Sequence, residues 1–188
     1  NDDRWDIQEK FDGRRLCIRL GEDGGVACNR KGQQVPADLY IHHMTQMNLP
    51  HGIYDGEDMG GKFVIFDFQG ETRNHGFVPW EDRFMDLATA TKLKLSFGSL
   101  YFAPTCGRNK NTKRVFFEEI KARRGEGVVF RKDDGKYRAG RPNSGGDILK
   151  WKFKASITCS VIKVNDKRSV QLGLRKMCSI TGLPIFDF

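Results

Sequence analysis

Residues 62–68, with the sequence KFVIFDF, form the run that most constrains the fold of this chain. β-branched and aromatic side chains favour extended backbone, and a strand that is apolar on both faces leaves neither face suited to water. The sequence therefore predicts a core strand here.

Further strands are predicted where apolar and polar residues alternate. Such alternation predicts a hairpin over residues 16–28, closed by a glycine-rich turn, and strands over residues 100–103 and 126–132. Residues 149–154, LKWKFK, alternate apolar side chains with lysines at a period of two. In a strand this alternation places every lysine on one face.

Three helices are predicted from apolar residues spaced three or four apart, over residues 36–47, 81–95 and 114–123. Pro36 is predicted in the first turn of the first helix. The apolar face of that helix is predicted to contain Leu39, His43 and Met47. The apolar face of the second is predicted to contain Phe84, Leu87, Ala88, Thr91 and Leu95.

A change of pattern near residue 155 predicts two domains, 1–154 and 155–188. Alternation at Ile157, Cys159 and Val161, followed by a turn, is typical of the first hairpin of a small β domain. About thirty residues are too few for a complete five-stranded barrel, so the second domain is predicted to be incomplete.

Composition indicates the class of protein and of partner. Lysine and arginine number 32 against 24 acidic residues, a net charge of +8, which favours a polyanionic partner. Five scattered cysteines without a CxxC pair indicate reduced thiols. With no apolar run of membrane-spanning length and no signal peptide at the start, a soluble intracellular protein is predicted.

Residues 9–15, EKFDGRR, precede the predicted hairpin. A lysine next to a turn dipeptide, with two arginines close behind, places a potential nucleophile where phosphate oxygens can be neutralised. The same residues also fit a strand that enters a tight turn with solvated charges. On local evidence alone the second interpretation is favoured.

Five motifs in a fixed order resemble those of the covalent nucleotidyltransferase superfamily, which contains ATP-dependent DNA ligases, RNA ligases and mRNA capping enzymes. The motifs are KFDGR at residues 10–14, DGE at 55–57, FD at 66–67, EGVV at 126–129 and LKWK at 149–152. The resemblance implies an α+β adenylation domain of antiparallel sheets flanked by helices, similar to ATP-grasp folds. It implies that the start of an OB-like domain follows.

The resemblance also implies the chemistry of the lysine motif. Lys10 would attack the α-phosphate of ATP, expel pyrophosphate and carry AMP as a phosphoramidate. A free lysine is protonated at neutral pH because its pKa is about 10.4. Neighbouring cations, Lys150 and Lys152, and a divalent metal, Mg²⁺ or Mn²⁺, would therefore have to favour the neutral amine.

The remaining site residues are assigned by the same resemblance. Nucleotide contacts are implied for Gln8, Glu9, Arg14, Arg30, Glu57, Phe66, Lys150 and Lys152. Metal contacts are implied for Glu126 and Glu57. In this assignment Lys150 and Lys152 hold phosphate, and Phe66 stacks on adenine.

The assignments of Gln8 and Arg30 each leave an alternative open. Gln8 stands where many DNA ligases have a glutamate that reads the adenine amino group. Its amide oxygen could accept the same hydrogen bond less strongly, so the choice between ATP and GTP stays open at this point. Arg14 would contact the ribose. Arg30 fits a phosphate contact and a solvated turn equally well.

The resemblance implies a compact, monomeric ATP-dependent DNA ligase, of a kind that a virus or phage could encode, with nicked duplex DNA as its partner. The loop at residues 137–141 and the basic run at 163–168 are similar to those of smaller DNA ligases. An RNA ligase or capping guanylyltransferase shares every catalytic position and is the nearest alternative. A non-catalytic nucleic-acid binding module with the same fold is the second alternative, and it predicts no covalent label.

Overall fold

The computed structural model describes residues 3–71, 78–92, 94–107, 109–137, 146–154, 159–165, 169–177 and 184–187. The chain divides into two compact units, Asn1–Phe153 and Lys154–Phe188. The first unit contains helices α1 (Asp38–Gln46), α2 (Trp80–Ala90) and α3 (Lys110–Ala122). Its strands are β1 (Trp5–Lys10), β2 (Arg14–Gly21), β3 (Gly24–Asn29), β4 (Gly52–Asp58), β5 (Phe63–Gly70), β6 (Ser96–Phe97), β7 (Leu100–Phe102), β8 (Thr105–Cys106), β9 (Gly127–Lys132) and β10 (Ile148–Lys152).

The larger sheet of the first unit has the strand order β3-β2-β4-β5-β7-β6. Strand β5 lies inside this sheet, and Phe63, Ile65 and Phe68 are buried in the main hydrophobic core. Burial of both faces explains why the sequence of β5 does not alternate, and the predicted core strand is confirmed. The β5–β7 pair is parallel, whereas antiparallel sheets were expected.

The smaller sheet has the strand order β10-β9-β1-β8 and is antiparallel throughout. On one face Ile7 and Val128 pack against Ile120 of α3 in a second core cluster. Side chains alternate along a strand, so Gln8 and Lys10 lie on the opposite face. The candidate site is built on that opposite face.

The helices form where they were predicted, but their ends and buried faces differ. Helix α1 begins at Asp38, after Pro36, and buries Tyr40 and Met44, whereas Leu39 is 54% exposed. Tyr40 and Met44 are also four residues apart, and each follows directly after a residue of the predicted face, Leu39 or His43. Contact with the sheet, which spacing does not reveal, decides which face is buried.

Helices α2 and α3 show two further differences. Helix α2 ends at Ala90, so Leu95 lies beyond it and is 58% exposed. Its buried face includes Arg83, a charged residue that was not part of the predicted apolar face. Helix α3 begins a turn earlier than predicted because the Asn109 side chain accepts hydrogen bonds from two backbone N–H groups of the first turn.

The second unit contains strands β11 (Ser160–Val164), β12 (Val170–Met177) and β13 (Pro184–Asp187), paired antiparallel in that order. That this unit is the start of an OB-like domain stays a prediction. Parts of three predicted segments, residues 155–158, 166–168 and 138–141, lie outside the described residues, as does Cys178. Within the described residues no helix has the length and apolar character needed to span a bilayer.

Candidate active site

Lys10 ends β1 and forms an ion pair with the residue that precedes β9. The Lys10 Nζ donates a hydrogen bond to Glu126 Oε2 at 2.6 Å, and its side chain is only 16% exposed. The Lys152 Nζ lies 2.9 Å from Glu126 Oε1. The sheet register explains this arrangement, because Gly127 of β9 is opposite both Lys10 of β1 and Lys152 of β10.

Residue 127 must be a glycine for β9 and β10 to lie this close together. A Cβ atom at this position would lie 2.0 Å from the carbonyl oxygen of Trp151 on β10. Any side chain there would therefore push β10, and with it Lys152, away from Glu126. The glycine of the EGVV motif is thus explained by the packing of neighbouring strands.

The three charges of this cluster affect one another. Burial alone would raise the Glu126 pKa, but the ion pairs with Lys10 and Lys152 outweigh it and hold that pKa below its usual value. The same carboxylate raises the pKa of Lys152. At neutral pH Glu126 is therefore an ionised carboxylate held between two lysines.

Lys150 lies on the same face of β10 as Lys152, but its environment differs. Its pKa is lowered, first by partial burial and then by the positive charges of Arg15, Lys10 and Arg131. Only Glu57 opposes this shift among the main causes. A cation-rich surface of this kind attracts anionic phosphate.

Glu57, on β4, supplies the second carboxylate near Lys10. Among the described residues its Oε2 is buried without a hydrogen-bond partner. Burial raises the Glu57 pKa, and this effect exceeds the opposing attraction of Arg15 and Lys10. An unpartnered carboxylate oxygen at such a place suits a cation or a hydroxyl donor.

Glu57 and Glu126 are the two residues that the resemblance assigned to a divalent metal, and their surroundings can be compared with what such a metal needs. No cluster of three or more metal-ligating side chains occurs in the described part of the chain. Mg²⁺ is commonly held by one or two carboxylates, with substrate phosphates and water completing its shell. The two glutamates therefore fit Mg²⁺ bound together with a nucleotide.

A buried ion pair supports this site from β2 and β4. Asp55 is 1% exposed and pairs with Arg15, and it also accepts hydrogen bonds from Tyr137 Oη at 3.0 Å and Cys17 Sγ at 3.3 Å. Burial would lower the Arg15 pKa, but the charge of Asp55 outweighs it and raises that pKa. Arg15 is therefore a permanently charged group held in place.

A second buried network surrounds Asp67 on β5. Arg83 donates two hydrogen bonds to its carboxylate, at 2.8 and 3.2 Å, and Arg131 donates a third at 3.1 Å. Arg83 also bonds the carbonyl oxygens of Val78 and Gly135. Through this one side chain, α2 is joined to β5 and to the segment after β9.

Gln8 belongs to the same network. Its Nε2 donates to the Phe66 carbonyl oxygen at 3.2 Å and to Thr105 Oγ1 at 3.0 Å, and its Oε1 accepts from Arg131 Nε at 2.9 Å. Both amide hydrogens are used in these contacts, so only the oxygen retains a free lone pair. Gln8 can therefore still accept a hydrogen bond from a ligand, but it cannot donate one without losing a contact.

Phe66 on β5 and the two arginines at the start of β2, Arg14 and Arg15, lie in different environments. The Phe66 ring has Arg15 at 4.7 Å and Arg131 at 5.3 Å from its centroid. Arg14 is 83% exposed and bonds Asp58 at 2.8 Å. The nucleotide contact of Arg14 stays a prediction. Alternation along β2 places Arg15, which was not predicted as a site residue, and Cys17 on the face opposite the apolar Leu16.

Two other predicted residues lie apart from Lys10. Glu9 is on the α3 face of the smaller sheet and accepts a hydrogen bond from Arg123 at 2.5 Å. Arg30 is exposed just after β3. Their nucleotide contacts stay predictions, whereas Lys10, Glu57, Glu126, Lys150 and Lys152 are brought together.

Replacing Glu57 with glutamine is expected to stabilise the protein at neutral pH. Because the folded-state pKa of Glu57 is raised, its charged form costs stability above that pKa, and the cost vanishes at low pH where folded and unfolded states are both protonated. Thermal unfolding of Glu57→Gln should thus give a higher midpoint at pH 7 and no gain at pH 4. Glu22→Gln, in the exposed β2–β3 turn, is the control, and an equal effect in both variants would contradict the argument.

Comparisons with known proteins show what this chain is similar to. The chain matches the family model described as RNA ligase over residues 3–152. No curated protein sequence matches it significantly. In fold it is similar to the ligase domain of LigD from M. tuberculosis, with 19% identity and a TM-score of 0.60, over 79% of this chain and 53% of that one.

Two further solved structures match over nearly the whole chain. The Chlorella virus DNA ligase-adenylate is 19% identical, with a TM-score of 0.58, over 97% of this chain and 75% of that one. A Lig E DNA ligase is 14% identical, with a TM-score of 0.60, over 97% and 76%. The chain spans about half the length of the mycobacterial ligase D structures. The predicted α+β adenylation-domain fold is confirmed.

Proposed function

Because this chain belongs to the RNA ligase family, we propose that it is an ATP-dependent polynucleotide ligase that seals nicks in duplex DNA through a lysyl-AMP. The observation that carries the proposal is the position of the Lys10 amine. This amine is paired with one oxygen of Glu126, and Lys152 is paired with the other oxygen of the same carboxylate.

In the first step the Lys10 ammonium loses a proton to solvent, the resulting amine attacks the α-phosphate of ATP, and the nitrogen releases a second proton as the phosphoramidate forms. An N–P bond forms, the bond from the α-phosphorus to the bridging oxygen breaks, and pyrophosphate leaves with that oxygen. Glu126, which stays ionised because its pKa is lowered, holds the amine at the start of this reaction. Lys150 and Lys152 face the developing charge on the phosphate oxygens.

The remaining residues are assigned to the metal and to the adenosine part of the nucleotide. Glu57 and Glu126 would hold Mg²⁺ or Mn²⁺, which when bound neutralises charge on the phosphate oxygens. Phe66 offers a ring to adenine, and the free lone pair of the Gln8 oxygen can accept from the adenine amino group. The burial and orientation of Arg15 support assigning the ribose contact to Arg15 and not to Arg14.

In the two later steps AMP passes from Lys10 to the 5′-phosphate of the nick, and the 3′-hydroxyl then displaces AMP. DNA is the favoured polymer because solved DNA ligase structures share the fold. RNA is the second candidate because the matching family model is that of RNA ligases. The same proposal includes that the protein acts as a monomer inside a cell.

The test uses labelled ATP and labelled GTP, followed by nicked duplexes of DNA and of RNA with the same sequence. We expect a covalent label from ATP that survives denaturation, and sealing of nicked DNA. A label with GTP alone would favour a capping-type enzyme, and sealing of RNA alone would favour an RNA ligase. Absence of any covalent label with either nucleotide, in the presence of Mg²⁺ or Mn²⁺, would overturn the proposal.

A further inference from the structure

Two cysteines face each other across the β2–β3 hairpin. Cys17 of β2 is directly opposite Cys28 of β3 in the strand register, and both are free and half-buried. Residues directly opposite in antiparallel strands project their side chains on the same side of the sheet. The two thiols are therefore neighbours on one face.

The backbone hydrogen bonds of β3 define the geometry of this pair. The Ala27 carbonyl oxygen accepts from Val35 N, and Asn29 N donates to the Gln33 carbonyl oxygen, so both residues direct these groups away from β2. Cys28, between them, directs its own groups toward Cys17, which makes the pair a hydrogen-bonded one. Such pairs have Cα atoms about 5.5 Å apart, a separation typical of disulfides, for which the range is about 4.4–6.8 Å.

The Cys17 thiol also contacts the buried ion pair beneath the candidate site. Its Sγ donates to Asp55 Oδ1 at 3.3 Å, while the other oxygen of Asp55 holds Arg15 and Tyr137. Burial, together with the negative charge of Asp55, raises the pKa of Cys17 to about 12. Cys17 therefore keeps its proton at rest, and a reaction must begin at Cys28.

We propose that Cys17 and Cys28 form a reversible disulfide by exchange with a small-molecule disulfide of the oxidised glutathione class. The Cys28 thiolate attacks one sulfur of that disulfide, which releases one thiol and leaves a mixed disulfide on Cys28. Cys17 then attacks the Cys28 sulfur, and its proton passes to the departing thiolate, which leaves as the second thiol. The two protein thiols are oxidised, and the one added disulfide is reduced to two thiols.

The disulfide would change the hydrogen bonding of Asp55, the carboxylate that pairs with Arg15. Cys17 could no longer donate a hydrogen bond to Asp55, so the carboxylate that pairs with Arg15 would lose one of its contacts. If the proposed ligase function holds, oxidation should slow the transfer of AMP to Lys10 at least several-fold, and a reducing thiol should reverse the effect. Disulfide formation itself does not depend on that function.

The test is a disulfide map of the whole folded chain after equilibration with oxidised glutathione. Trypsin separates the two cysteines into residues 16–19 and residues 20–30, and places each of the other three on a different peptide. We expect these two peptides to be joined, lighter by two hydrogen atoms than their sum. Mixed glutathione adducts without the joined pair, or pairing of either cysteine with a third one, would overturn the proposal.

Two variants complete the experiment. Cys28→Ser should lose the joined peptides and make the ATP label insensitive to the oxidant, whereas Cys106→Ser, on β8, should retain both effects. A joined pair in a protein that takes no label from ATP would support the disulfide and count against the ligase function. A label that responds to oxidant equally in Cys28→Ser and in the unchanged chain would remove the proposed link to Asp55.

Discussion

Lys10→Ala is expected to abolish covalent labelling by ATP, with a loss of at least about 1,000-fold, as for removal of other enzymatic nucleophiles. The alanine side chain offers no amine to the α-phosphate. Lys152 remains on Glu126 but is held on the other oxygen of that carboxylate, so it is not expected to replace Lys10. Intact-protein mass spectrometry after incubation with ATP and Mg²⁺ measures the result directly.

Two controls separate lost chemistry from lost folding. Lys62→Ala changes an exposed turn lysine and should label normally. A nick that already carries AMP bypasses the attack by Lys10, so the Lys10→Ala protein should still seal it if the rest of the site is intact. Full labelling of Lys10→Ala would show that another residue is the nucleophile, and the assignment of this site would then fail.

The residues of the proposed site could be selected from the motifs because they are chemically distinctive. A lysine beside Asp-Gly, and a strand with alternating lysines, can be recognised without knowing how the strands pair. The contact between Lys10 and Lys152 through Glu126 could not be derived that way, because it requires β1, β9 and β10 to lie side by side in one register. Strand order is a property of the whole fold.

The supporting charges were missed for a different reason. Arg83, Asp67 and Arg131 look like ordinary charged residues in the sequence, and charged residues are seldom buried. Their burial follows from pairing between elements that are distant along the chain, with α2, β5 and β9 each supplying one residue. Arg15 could have been found from alternation along β2, since it shares a face with Cys17 and not with Leu16.

These buried charges connect stability to the site. Arg131 contacts Asp67, the Gln8 amide oxygen and the face of Phe66 at once. Burial lowers the Arg131 pKa, and the charge of Asp67 opposes that shift. A change at Asp67 should therefore disturb both the fold and the two residues proposed to face the adenine.

Asp67→Ala is expected to give the largest loss of stability of any change considered for this chain, about 3–5 kcal/mol. Its carboxylate is 2% exposed and accepts from two arginines that are themselves buried, so its removal takes from two buried guanidinium groups the carboxylate that they share. Against a typical total of about 5–15 kcal/mol, such a loss is large. Urea unfolding followed by circular dichroism measures it.

The matched control is Asp134→Ala, which removes an aspartate from an exposed ion pair with Lys132. Water replaces the lost partner there, so little change is expected. Asp67→Asn keeps one acceptor oxygen and should fall between the two. If Asp67→Ala unfolds at the same urea concentration as Asp134→Ala, the buried arginines must be satisfied without Asp67, and the connection between this network and the site would have to be abandoned.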